Sequence, residues 1–212
     1  MKHNILPLLL ALLLFRQQVP ETRLDIVAPP YYHQMRNTCT VICTTLPGAD
    51  VEILTPHSDL DVTTLDSTGV FTFAATFDKI GENTISIQAS SPGRKTARVD
   101  CTVYYLPYQE TYCRKAWLLS NSSDYADLVS NISVRAERQQ VYVALGKIDS
   151  FVSHSPQMAV MYCSEDGQSH PVVLQNATNT VWQEGVYYRI YADVCGICNG
   201  MPLLIARYCY QV

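Results

Sequence analysis

The feature that most constrains this chain is a run of short apolar–polar alternations, each bounded by turn residues. In the first half these fall at 39–44, at 51–54 after Pro47-Gly48, at 70–74 after Ser67-Thr68-Gly69, at 84–89 after Gly81-Glu82-Asn83, and at 99–105. A period of two puts alternate side chains on one face, so each strand has one apolar face to bury. Several such strands at 8–12-residue spacing predict a β-sandwich over 24–106. In the second half, strands are predicted at 141–152 (interrupted by Gly146), 158–163, 170–174, 186–194 and 203–210. Five strands, with a wider gap at 175–185 after the third, predict a small Greek-key barrel over 141–212. The glycine lets the first strand bend and pair in both halves of such a barrel. The intervening 107–140 reads as a partly helical connector. Ser122-Ser123-Asp124 caps a short helix with Leu128, Ile132 and Tyr125 on one side, too short to stand alone. The fold class is therefore all-β.

Two resemblances sharpen this. Asp66-Ser-Thr-Gly69-Val-Phe71-Thr-Phe73, then Gly81-Glu-Asn83-Thr-Ile85-Ser-Ile87-Gln-Ala89, then Gly93 and Val103-Tyr-Tyr, resemble a bacterial immunoglobulin-like domain. That resemblance implies a spacer, stalk or adhesive unit on a bacterial surface, although the pattern does not call for Cys39, Cys43 and Cys101. Gly146-Lys-Ile, Glu184-Gly185 leading to Tyr188 and Ile190, and the Leu-rich last strand resemble an OB-fold.

Before these units, Lys2 and His3 precede an apolar run at 5–15. Eleven residues cover about half of a ~30 Å bilayer core, which suits a secretory signal peptide better than a span. Residues 1–22 are thus expected to be a signal peptide or N-terminal anchor. The protein is expected to be extracytoplasmic, secreted or at the cell surface, touching membrane only through this segment if it is uncleaved. A net charge of −4, from 15 Lys+Arg against 19 Asp+Glu, argues against nucleic acid as a partner.

Eight cysteines in an exported chain raise the prospect of disulfides. Cys39 and Cys43 share a strand face and Cys101 lies on the apolar side of another, so a cross-sheet bridge to Cys101 is open; the competing reading is small buried thiols. Cys195-Gly-Ile-Cys198 is the one recognisable chemical motif. Asn199-Gly200-Met201-Pro202 follows it and breaks a helix, against a thioredoxin-like thiolate. A hairpin carrying incidental or locally bridged thiols explains these residues directly, with thiol-redox or zinc chemistry as the lesser alternative. Asp59 and Asp61 lack the glycine and later glutamate of a calcium loop. The histidines form no pair at ligand spacing and no nucleophile motif occurs, so neither an enzyme nor a cofactor is expected.

One strand carries a candidate binding row. Tyr187, Arg189, Tyr191 and Asp193 alternate with Tyr188, Ile190 and Ala192, so the first set is expected outward and the second in the core. Such a row can stack on sugars, or can be an ordinary half-exposed sheet face. The expected function is a non-catalytic pair of structural and binding modules. The alternative is a glycan- or peptide-binding protein using the barrel, with a cell-envelope glycan or another surface protein as partner.

Overall fold

A computed structural model describes residues 19–58, 68–119, 121–164 and 169–212. The chain divides into two compact units, one ending at Leu106 and the other Pro107–Val212. The apolar run at 5–15 and Asp59 and Asp61 lie outside the described residues.

Among the described residues the first unit has eight strands: β1 (Leu24–Ala28), β2 (His33–Gln34), β3 (Thr38–Thr45), β4 (Asp50–Ile53), β5 (His57–Ser58), β6 (Val70–Thr76), β7 (Gly81–Ser90) and β8 (Ala97–Tyr105). They form two four-stranded sheets, ordered β1-β3-β6-β5 and β2-β8-β7-β4. The alternation does the sorting. Val41 and Cys43 of β3 and Phe71, Phe73 and Ala75 of β6 enter one core cluster with Val51, Ile53, Ile85, Ile87, Ala89 and Val103 of the other sheet. Each large aliphatic or phenyl side chain so buried contributes about 1.5–3 kcal/mol relative to exposure. Gly69 is required where it stands: at φ +75° a Cβ would lie 2.2 Å from the Thr45 carbonyl oxygen. The sequence pattern misses β1, β2 and β5. They are edge strands, partly or wholly exposed, and need no apolar face.

The second unit holds β9 (Trp117–Leu118), β10 (Val141–His154), β11 (Gln157–Tyr162), β12 (Pro171–Asn176), β13 (Tyr187–Cys198) and β14 (Met201–Gln211), with helices α1 (Gln109–Cys113), α2 (Ser122–Ser130) and α3 (Ile132–Glu137). The five long strands close into a barrel in the order β10-β11-β12-β14-β13 and back to β10. Every neighbouring pair is antiparallel except β12 with β14, which run parallel with Val173 opposite Leu203. β10 serves both sides of the closure. Residues 141–147 pair with β13 and 147–154 with β11. The switch falls beside Gly146, where a Cβ would be 2.2 Å from the Tyr162 carbonyl oxygen.

The segment read as a connector contributes to this second unit. Leu119 and Leu128 are fully buried in the barrel's core cluster, with Tyr125, Ile132 and Ala136 packed against it. The N-cap of α2 is Asn121, one residue before the expected serine, and its side chain accepts from the Ser123 N–H at 2.9 Å. In the 175–185 gap there is no helix. A loop instead sends Trp182 into the core at 2% exposure. Gln157 holds it there: its Oε1 accepts from the Trp182 N–H at 3.0 Å and its Nε2 donates to the Trp182 carbonyl at 3.1 Å.

Candidate functional site

β13 lies between β10 and β14, so its backbone is paired on both sides and its outer face offers side chains only. Tyr188, Ile190 and Ala192 are buried at 2% or less, as the alternation requires. Tyr187 and Arg189 are exposed and Tyr191 is half-buried. Across the β13–β14 pair Arg189 faces Tyr210 and Tyr191 faces Tyr208. The Tyr191 and Tyr210 rings meet edge to face, with centroids 6.2 Å apart.

Asp193 does not belong to this exposed row. It is 1% exposed and bonded twice by Arg207, whose Nε donates to Oδ1 at 2.7 Å and whose Nη2 donates to Oδ2 at 3.1 Å. The register of β13 against β14 shifts between Tyr191 and Ala192, which face Tyr208 and Ala206, so that Arg207 is the extra residue of a bulge. Such a bulge re-aims a side chain locally. From α1, Tyr112 closes the position, its hydroxyl donating to Asp193 Oδ1 at 2.7 Å. Burial, followed by the charge and hydrogen bond of Asp193, pushes the Tyr112 hydroxyl pKa far up, so it remains a donor.

Helix α1 is thereby fixed over the outer face of β13 and β14. Tyr112 also packs edge-on against Tyr208 at 5.5 Å, the Tyr208 hydroxyl donates to the Pro107 carbonyl at 3.0 Å, and Gln109 Nε2 donates to the Tyr210 hydroxyl. Between helix and strands lies a groove of about 380 Å³, lined by Gln109, Glu110, Cys113, Arg189, Tyr191 and Tyr210. Burial raises the Cys113 thiol pKa, which keeps that thiol protonated and neutral. Four of the six lining residues were missed in the sequence. Tyr210 had a signal, since it shares outward parity with Tyr208. The five-residue α1 has no apolar periodicity to betray it.

The cysteines are all free thiols. Cys43 is fully buried, while Cys39 and Cys101 are half-buried. Burial first, and the neighbouring Cys101 second, push the Cys39 thiol to about 11 and that of Cys43 to about 12. These thiols act as small apolar core groups, and the cross-sheet bridge is not formed. Cys195 and Cys198 lie on β13 just before a hairpin turn at Asn199 and Gly200, both with positive φ, and Cys198 pairs with Met201. Among the described residues no group of three His, Cys, Asp or Glu side chains is placed to hold a metal ion. Among the described residues, too, no helix is long and apolar enough to cross a membrane.

The class of protein defined here is a mostly β chain of two compact units, the second carrying an aromatic–polar groove on its surface. Compared with protein-family models, with curated proteins and with solved structures, the chain finds no match in any of the three.

Proposed function

We propose that this chain is a non-catalytic extracytoplasmic binding protein, in which an immunoglobulin-like unit spaces an OB-like barrel that binds a cell-envelope saccharide. The sandwich reading is supported by the strand orders β1-β3-β6-β5 and β4-β7-β8, which follow the A-B-E-D and C-F-G sheets of that fold, with β2 added parallel to β8. The barrel reading is supported by the closure in which the third and fifth strands run parallel and the first pairs with the second and fourth. Export is supported by the apolar run at 5–15 behind Lys2 and His3.

The observation that carries the binding reading is the groove itself: two tyrosine rings and an exposed arginine, walled by a helix whose Tyr112 bonds to a buried ion pair of the barrel. Tyrosine rings take the apolar C–H faces of sugars, while arginine and amide side chains take their hydroxyls. The test is a screen of the full chain against envelope glycans, run beside Tyr191→Ala. Losing one stacking ring costs about 1–3 kcal/mol by analogy with bases stacked on aromatics, about ten- to hundredfold in affinity. A protein that binds no envelope glycan, or a Tyr191→Ala variant that binds as well as the wild type, leaves only a spacer.

A further inference from the structure

Resting on that saccharide reading, we infer that the groove selects a sugar bearing one carboxylate, and that Arg189 is its anion contact. Among the described residues Arg189 has no ion pair, although it lies among residues well placed to define a ligand. Tyr187 and Tyr191 flank it on its own strand face and Tyr210 stands opposite on β14. A guanidinium offers a planar fork that matches a carboxylate with two parallel N–H···O bonds. Two rings meeting edge to face beside that fork hold a sugar ring by its C–H face, so charge and stacking act on one residue of the ligand.

The opposite wall sets the number of charges. Glu110 lines the same groove, and its ion pair, to Arg114 at 3.4 Å, is made within its own helix turn. Its carboxylate accepts from sugar hydroxyls and repels a second anionic group. A polymer with dense phosphate charge is therefore disfavoured, in keeping with the net charge of −4.

A peptide carboxylate offers the same chemistry at Arg189, but the fold favours the sugar. Peptides that add to a sheet need an open strand edge, and along the groove β13 is paired with both β10 and β14. The side chains that line the groove are rings, a guanidinium, an amide, a carboxylate and a thiol.

The experiment titrates the full chain by calorimetry with oligosaccharides containing galacturonic, glucuronic or muramic acid residues, and with the same oligosaccharides after reduction of each carboxyl to an alcohol. Expected is binding to at least one acidic oligosaccharide, at least tenfold weaker binding to its reduced form, and loss of that preference in Arg189→Gln with partial recovery in Arg189→Lys. Arg189 is exposed, so neither variant threatens the core. Equal binding of acidic and reduced forms by the wild type, or a preference that survives Arg189→Gln, overturns the carboxylate assignment and leaves the saccharide reading standing. Binding only to a peptide with a free C-terminal carboxylate, or to no saccharide at all, overturns both.

Discussion

Arg207 and Asp193 form a two-pronged ion pair inside the second unit, with side chains 5% and 1% exposed, and Tyr112 of α1 completes it from above. The pair sits where β13 and β14 fall out of register, and it is what anchors the helix that walls the groove. A buried ion pair is weak evidence for stability as such, because desolvation offsets much of the attraction. Its value here is geometric: it places α1.

Breaking the pair from one side is expected to be costly. Asp193→Ala leaves a buried guanidinium uncompensated and should lose about 3–5 kcal/mol in denaturant unfolding. Tyr112→Phe removes one hydrogen bond to a charged acceptor and should lose about 1–3 kcal/mol. Replacing both ions together, as Asp193→Leu with Arg207→Met, should cost far less than Asp193→Ala alone. An Asp193→Ala protein as stable as the wild type would show that the pair anchors nothing.

Gly146→Ala should disrupt the barrel closure, since its Cβ would fall 2.2 Å from the Tyr162 carbonyl oxygen and 3.2 Å from Met161 Cγ. Backbone must move at the point where β10 passes from one partner to the other. Thermal unfolding of the variant, compared with Gly185→Ala, checks this. Gly185 has open space around it and pays only for its positive φ.

Thiol chemistry should separate the cysteines by burial. All eight should react in denaturant without prior reduction. In the native protein the exposed Cys195 should react first, and the buried Cys43 and Cys163 only on unfolding. Reductant should leave the melting curve unchanged. Fewer than eight titratable thiols, or a melting point lowered by reductant, would show that a disulfide forms.

The first unit should weaken in alkali. Between the ordinary thiol value of 9.0 and about 12, unfolded Cys43 has lost its proton while the folded core keeps it. The native state then binds more protons, so stability is fully present below 9.0 and falls as pH rises through that window. Cys39 adds the same effect up to about 11. Unfolding measured below pH 9.0 and again near 11 should show a larger loss for wild type than for Cys39→Ala/Cys43→Ala; equal losses would assign the effect to other groups.

Residues 107–140 should be needed for the barrel. A Pro107–Val212 fragment should fold, whereas one beginning at Val141 should not, because it lacks Leu119 and Leu128 from the core. Deleting two fully buried leucines opens cavities costing about 2–5 kcal/mol each. Side-chain dispersion in nuclear magnetic resonance spectra of the two fragments distinguishes the outcomes.

Ten strands of the two units are legible in the amino-acid order because each needs only its own alternation and a turn beside it: Phe71 and Phe73 on either side of Thr72, Ile85 and Ile87 on either side of Ser86, Tyr188 and Ile190 between outward residues. The bend at Gly146 and the hairpin at Asn199-Gly200 are local in the same sense, being matters of one residue's steric freedom. Asp193 marks where that legibility stops. By parity it belongs with Tyr187, Arg189 and Tyr191, and alternation alone would put it in water. Its burial was decided by a register shift against β14, which exists only once the two strands pair, and by Tyr112, eighty-one residues earlier in the chain. The groove has the same origin. A period-two pattern records which face of a strand is covered by the sheet's own core, but a second covering, by a five-residue helix with no periodicity of its own, leaves no trace in that pattern and is settled only by the packing of the folded unit.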